Sequence, residues 1–348
     1  MNRGRIRIVA DELVPYLKDV PGSCADIVFR DGASICRDDL AGADALIVRT
    51  RTRCDSGILE GTGVRFIASA TIGLDHVDLP WCASHGIKVC NSAGCNAGAV
   101  MQYVFTALYG VAAQKSLNLE GRTIGIIGVG NVGSRVEKAA RRLGFKTLLC
   151  DPPRASREGS EGFVPLEELL HRSDIVTLHT PLDGSTRGMA DRAFFSLMRP
   201  GSVFINASRG EVVDENALKE AREKLGALII DTWAGEPAVD AELLEMTDVA
   251  TPHIAGYSLL GKINGTEMAV RALAEHFGIG ELQSFRIPTE DSEVLEYLST
   301  EGLTQQCIAD RLLGVYDIFK DDRALRSDPG SFENLRRHYR LRKEIKFI

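Results

Sequence analysis

Four short apolar segments in succession end in residues suited to acid–base and anion chemistry: His179-Thr180-Pro181, Asn206-Ala207-Ser208-Arg209, Asp231-Thr-Trp-Ala-Gly-Glu236-Pro237 and Pro252-His253-Ile-Ala-Gly256-Tyr257. The Arg209 guanidinium offers a planar fork that fits a carboxylate, with charged hydrogen bonds worth roughly 1.5–3 kcal/mol each. The His253 imidazole can take a hydroxyl proton near neutral pH, and a carboxylate beside it, such as Glu236, favours the protonated ring. Together these groups suit oxidation of a hydroxy acid. Singly, Arg209 reads as a structural ion-pair residue and His253 as a core histidine; their gathering at successive segment ends gives the chemical reading its weight.

A hydride acceptor is suggested by Gly128-Val-Gly130-Asn-Val-Gly133, which follows the apolar run Thr123–Ile127 and opens a helical pattern over 132–143. That context distinguishes a dinucleotide fingerprint from chance glycines. The first two glycines allow a tight turn and close approach to a pyrophosphate, and the third allows helix and strand to pack closely. The helix N-terminus favours the phosphate charge. Asp151, eighteen residues after Gly133, stands where it can accept hydrogen bonds from the adenosine ribose. Its charge repels a 2′-phosphate, so NAD is expected over NADP, with Arg154 a small opposing influence. There is no G-x-S-x-G elbow of a serine hydrolase.

These residues need a scaffold. Apolar segments near 123–127, 146–150, 175–178, 203–206, 228–231 and 248–251 alternate with helical stretches 132–143, 165–171, 191–198 and 214–225. This is a six-strand βαβ succession, in which ligands bind outside the carboxyl ends of the strands. An earlier set, Ile6–Val9, Ala45–Val48, Phe66–Ala68 and Ile87–Val89, reads as buried parallel strands. A long apolar helix pattern from Ala97 to about Leu117 is suited to bridge two domains, and another over Gly261–Phe277 is expected to return to the first. From about 283 the rhythm changes, with Ile308, Leu312, Tyr316 and Phe319 at near-helical spacing.

Two further clusters stand at strand ends of the first set. Arg49-Thr50-Arg51-Thr52-Arg53 suits a phosphate or carboxylate grip, or a solvated loop, and Ser69-Ala-Thr71-Ile-Gly73-Leu-Asp75-His76 offers small polar groups around a glycine. The late basic run from Arg336 to Lys343 reads as a solvated helix face or a subunit contact in preference to a nucleic-acid site.

At 348 residues the chain implies two or three domains. Its 44% hydrophobic and 26% charged residues are those of a soluble enzyme, and its net charge of −7 argues against wholesale binding to nucleic acid or anionic membrane. No apolar run is long enough to cross a membrane. The start, Met1 to Val9, enters a strand pattern without a signal-peptide stretch, so a cytoplasmic location is expected. The eight cysteines form no C-x-x-C pair, so they are expected to be reduced and structural, and no metal site is expected.

Along nearly its whole length the chain resembles the D-isomer-specific 2-hydroxyacid dehydrogenase family. Besides the fingerprint and segment ends above, the resemblance is carried by Asp11-Glu12, Ala43-Asp-Ala-Leu-Ile-Val-Arg49-Thr50, Gly94-Cys-Asn96-Ala, Leu148-Leu-Cys-Asp151-Pro-Pro-Arg154, Thr251-Pro-His253-Ile-Ala-Gly-Tyr257, Gly261-Lys and Pro329-Gly-Ser-Phe332-Glu-Asn-Leu-Arg. Asp151-Pro-Pro-Arg, His253-Ile-Ala-Gly-Tyr and the terminal piece narrow it to a branch acting on a phosphorylated acid. Small departures are Ser69, where threonine is usual, and Ser208, where cysteine is frequent.

The resemblance implies Arg209, Glu236 and His253 as catalytic residues. It implies NAD contacts at Asp151, Thr180, Ala207, Ser208, Arg209, Asp231 and Gly256, and substrate contacts at Thr50, Thr71 and Tyr257. The implied fold class is α/β in three parts: a flavodoxin-like substrate domain (1–95 and 257–282), a Rossmann-type doubly wound NAD domain (96–256), and a C-terminal α+β segment (283–348) forming a homodimer. The active site is expected in the cleft between the first two, closing by hinge motion when substrate binds. The alternatives are a sibling dehydrogenase acting on 3-phosphoglycerate or glyoxylate and, from another class, an NAD-sensing interaction protein.

Overall fold

Runs such as Ala45-Leu-Ile-Val48 and Phe66-Ile-Ala-Ser69 lack polar alternation, and strands of that kind occur where both faces of a parallel sheet are covered. In the computed structural model, which describes residues 5–348, both are buried at every position. Met1–Gly4, which begin the expected N-terminal pattern, lie outside the described residues. The chain divides into two compact units, one comprising residues up to Asn96 with Leu259–Val294, the other Ala97–Ser258 with Leu295–Ile348.

The first unit holds a parallel sheet of β1 (Ile6–Asp11), β2 (Ala25–Arg30), β3 (Ala45–Val48), β4 (Phe66–Ser69) and β5 (Lys88–Asn91) in the order β2-β1-β3-β4-β5. This is the flavodoxin-like order. β2 is an addition to the sequence reading. The returning helix runs Leu259–Phe277 and packs on β4, where Phe66 stacks on His276 at 4.8 Å between ring centroids.

The second unit is built on six parallel strands: β6 (Thr123–Ile127), β7 (Lys146–Cys150), β8 (Ile175–Leu178), β9 (Val203–Asn206), β10 (Ala227–Ile230) and β11 (Val249–Ala250). The order β11-β10-β9-β8-β6-β7 is Rossmann-type: β6 lies between β7 and β8, so winding reverses there and makes a topological switch point. The glycine fingerprint sits at that carboxyl end.

The helix Ala97–Lys115 is apolar all round, as a helix enclosed by its neighbours must be, and is buried from Ala97 to Ala112. It lies within the second unit, at the centre of its core. Its Tyr103, Val104 and Leu108 share one core with Ile126, Ile205 and Ile229 of the sheet and with Ile308, Leu312, Ile345 and Phe347 of the C-terminal segment.

That shared core explains why 295–348 groups with the second compact unit. The segment pairs β12 (Leu295–Leu298) with β13 (Glu344–Phe347) in parallel, which demands a crossover, supplied by helices Gln305–Val315, Ile318–Ser327 and Phe332–Arg337. Ile308 and Leu312 share a helix, but Tyr316 leaves helical geometry and Asp317 caps the next, so Phe319 stands on a second helix. Asp322 of that helix accepts the Ala250 amide at 2.8 Å, closing the edge of β11. All eight cysteines are free thiols, and no helix among the described residues is long and apolar enough to cross a membrane.

Gly133 lets the helix Asn131–Arg142 approach β6, because a Cβ there would collide with the carbonyl oxygen of Gly128. Gly133→Ala is expected to cost about 1–3 kcal/mol by overpacking, read as a lower urea midpoint with an unchanged slope.

Candidate active site

His253 is one of three described non-glycine residues with a left-handed backbone, at φ 54. Histidine enters this region more readily than most residues, but it must be held there. The holding group is Asp231, just past β10 and 1% exposed. Its carbonyl accepts the His253 amide at 2.8 Å. Its carboxylate accepts the Thr251 hydroxyl at 2.6 Å and the amides of Ile254 and Ala255 at 2.8 and 2.9 Å. Thr251 is fixed in turn by the Tyr103 hydroxyl at 2.8 Å and by the Trp233 indole, which donates to its carbonyl at 3.0 Å. Burial pushes the Asp231 carboxyl up in pKa, opposed by the His253 charge, the Thr251 hydroxyl and the two amides.

Glu236 and His253 are brought together, with Oε2 of the glutamate 2.7 Å from Nδ1 of the imidazole. The other carboxylate oxygen accepts the Trp233 amide at 2.9 Å. Burial raises the Glu236 carboxyl, but the His253 hydrogen bond and charge and the Trp233 amide outweigh it and hold the group below the usual carboxylate range. An ionised carboxylate only accepts, so Nδ1 carries the proton and Nε2 of neutral His253 is left with its lone pair.

Asn206, 1% exposed at the end of β9, organises the turn that carries Arg209. Its side-chain oxygen accepts the Ser208 amide and hydroxyl at 3.1 and 2.8 Å, and its amide donates to the Arg209 carbonyl at 3.0 Å. The Arg209 guanidinium donates to the Ser208 carbonyl at 2.8 Å. Gly210 must be glycine because a Cβ would strike the Trp233 carbonyl, so the Arg209 and Glu236 turns abut.

The fingerprint has the shape a dinucleotide requires. Gly128, at φ 84, rests against the peptide between His179 and Thr180, where a Cβ would collide, whereas a Cβ at Gly130 would meet no protein atom within 4 Å. Asp151 accepts the Val129 amide at 2.7 Å and, as N-cap of the helix Pro152–Glu158, the Arg154 amide at 2.9 Å. Each carboxylate oxygen retains acceptor capacity for a ribose hydroxyl. Arg154 is tied to Glu158 at 2.9 Å and to the Val129 carbonyl at 2.7 Å. Buried polar atoms without a protein partner gather at this edge: Nδ1 of His179 and the hydroxyls of Thr180 and Thr232. These features fit NAD.

The remaining expected residues lie on both units. Thr50 follows β3 and is exposed, and Thr71 follows β4 with its hydroxyl 2.8 Å from that of Ser69; both stand at the carboxyl edge of the first sheet. Of the basic cluster beside Thr50, Arg49 is ion-paired with fully buried Asp11 at 2.9 Å and Arg53 with Asp55 at 2.7 Å. Both therefore carry structural bonds. In the second unit Gly256 and Tyr257 follow the histidine turn, and the Tyr257 ring meets Tyr339 edge-on at 5.8 Å.

Sequence reasoning missed the parts played by Tyr103, which sits in an apolar helix without motif spacing, and by Trp233, which lies inside the Asp231–Pro237 segment but carries no acid–base or charged group. It also assigned the run 336–343 to a solvated face or subunit contact, whereas Arg342 is 7% exposed. The hydrophobic neighbourhood of that arginine exists only in three dimensions.

A model of the "D-isomer specific 2-hydroxyacid dehydrogenase, NAD binding domain" matches residues 104–255, and one of a "Domain of unknown function (DUF3410)" matches 290–348. The chain is 40% identical over 346 residues to an erythronate-4-phosphate dehydrogenase of Bacteroides fragilis, covering 97% of each. It is 42% identical over 352 residues to the enzyme of that name from Yersinia enterocolitica, covering 97% of this chain and 93% of the other. Among solved structures, NAD-bound 3-phosphoglycerate dehydrogenase of Entamoeba histolytica has the same fold, with a TM-score of 0.66 at 24% identity, covering 82% of this chain and 99% of the other.

Burial lowers the pKa of His179 from 6.5 to about 3. Between those values the unfolded chain binds a proton that the folded chain refuses, so stability is complete above pH 6.5 and is lost progressively as pH falls. His179→Gln is expected to flatten the rise of the urea midpoint between about pH 4 and 6.5.

Proposed function

Because the chain belongs to the D-isomer-specific 2-hydroxyacid dehydrogenases, and within them to the erythronate-4-phosphate dehydrogenase family, we propose that it oxidises 4-phospho-D-erythronate to (R)-3-hydroxy-2-oxo-4-phosphonooxybutanoate. The reaction serves pyridoxine 5′-phosphate (vitamin B6) biosynthesis. The observation that carries the chemistry is the Glu236–His253 pair at 2.7 Å on the sheet edge that also bears the fingerprint. Arg209 grips the substrate carboxylate, and Thr50, Thr71 and Tyr257 contact the rest of the acid. Nε2 of His253 removes the C2 hydroxyl proton as the C–H electrons leave, and the imidazolium so formed is stabilised by ionised Glu236. Bound NAD supplies the hydride acceptor. Gly128, Gly130 and Gly133 admit its pyrophosphate, and Asp151 holds its ribose. Thr180, Ala207, Ser208, Arg209, Asp231 and Gly256 complete its contacts, with Asp231 also positioning the histidine.

The protein is read as cytoplasmic and as a homodimer joined through the C-terminal segment, whose Tyr297 and Ile348 are exposed. Its proposed partners are a phosphorylated hydroxy acid and a second copy of the chain, with no nucleic acid or membrane among them.

Purified protein is expected to form NADH and the 2-oxo product faster with 4-phospho-D-erythronate than with 3-phosphoglycerate or unphosphorylated D-erythronate, assayed with a 2-oxo acid present to re-oxidise tightly held NADH. Preference for 3-phosphoglycerate would replace the substrate and keep the mechanism; NAD binding without turnover of any acid would favour a sensing role. His253→Gln is expected to lose about 10²–10⁴-fold in kcat while NAD affinity, measured by fluorescence, stays near wild type. Asp151→Ala is expected to weaken NAD more than NADP, and equal losses in titration would refute the ribose contact.

A further inference from the structure

We propose that Arg342, in the C-terminal segment, is a positioning residue for catalysis that fixes the backbone on which His253 stands; this rests on the reading of His253 as the acid–base group. The guanidinium donates through Nη1 to the Ile254 carbonyl at 3.1 Å and through Nη2 to the Ala255 carbonyl, the two residues that follow the histidine. Nη2 also reaches the Ala99 carbonyl at 3.3 Å, tying the same turn to the start of the central helix.

The amides of Ile254 and Ala255 are already held by Asp231, so this stretch is bound through its amides by an anion and through its carbonyls by a cation. The left-handed backbone of His253 would relax by rotating the following peptide, which would carry the imidazole away from Glu236. Such a rotation displaces the next peptide, between Ile254 and Ala255, whose amide is held by Asp231 and whose carbonyl is held by Arg342, so it breaks bonds on each side.

The arginine is held firmly in its turn. Its guanidinium lies 4.2 Å from the Tyr316 ring centroid, and Nη1 donates to the Tyr339 hydroxyl at 3.0 Å. Both phenols donate to Asp321, at 3.0 and 3.1 Å, so the counter-charge is reached through two aromatic residues. Backbone pairing of Ser258 with Arg342, and the Ser258 hydroxyl on Glu344 at 2.6 Å, set the register between the histidine segment and the chain end. Burying a guanidinium is costly, and an apolar side chain of the same volume would be cheaper for packing alone. What arginine adds is a planar fork spanning successive carbonyls, which the single ammonium of lysine does not reproduce.

The test compares Arg342→Met and Arg342→Lys with wild type in the full chain. Arg342→Met is expected to lower kcat by up to about 10²-fold, with KM and NADH affinity changed less than about threefold, and Arg342→Lys to restore part of the loss. Added to His253→Gln, Arg342→Met is expected to change the residual rate by less than about twofold, since both act through one group. Wild-type kcat per folded site in Arg342→Met, with effects confined to melting temperature or assembly, would overturn the proposal. If that variant does not fold, wild-type kcat in Arg342→Lys overturns it instead. A fully active His253→Gln enzyme would sink the acid–base reading and this proposal with it; wild-type kcat in the Arg342 variants beside an inactive His253→Gln enzyme sinks the proposal alone.

Discussion

A carboxylate buried at the end of a parallel strand must find donors or be expelled, and among the described residues Asp231 finds them in the segment 251–255. This requirement sets the site. It forces the chain leaving β11 to fold back over the end of β10, and it holds His253 in a backbone conformation that few residues adopt. Glu236, on the loop between the same two strands, then meets the imidazole from the side. The Glu236–His253 pair thus follows from satisfying one buried charge, with Tyr103 and Trp233 closing the network from the core.

Steric requirements place the rest. Gly128 and Gly210 each exist because a neighbouring peptide occupies the space a side chain would need: the first brings the fingerprint onto the His179–Thr180 peptide, the second packs the Arg209 turn on Trp233. Two pairs of neighbouring strand ends, β6 with β8 and β9 with β10, are thereby drawn together by backbone approach, and their side chains are left to carry the chemistry. Unpartnered hydroxyls at Thr180 and Thr232 mark where this economy of contacts stops and a ligand's polar groups are needed.

The C-terminal segment enlarges the role of the second unit. Its helices complete the core around the helix Ala97–Lys115, Asp322 closes the last strand of the sheet, and Arg342 reaches the histidine turn. A segment that supplies both core and support to the site cannot be removed as an appendage, whatever part it also plays in assembly.

The amino-acid sequence by itself determined the strands β3, β4 and β6 to β11 and the residues at their ends, because buried parallel strands are written as uninterrupted apolar runs and a dinucleotide turn needs glycine at set spacings. It left β2 hidden, since an edge strand with Asp26 and Arg30 is half exposed and has no such run. The helix Pro152–Glu158 was hidden too, since it buries no residue and so shows no apolar periodicity, although proline is at home in a first helical turn. Only the tertiary structure decided that β12 and β13, from opposite ends of one segment, pair with each other, that Arg49 and Arg53 are tied to Asp11 and Asp55, and that Arg342 is buried against Ile254 and Ala255. Local pattern records how much of a residue's surroundings is apolar. Which distant groups satisfy a buried charge depends on chain segments that meet only when the core closes.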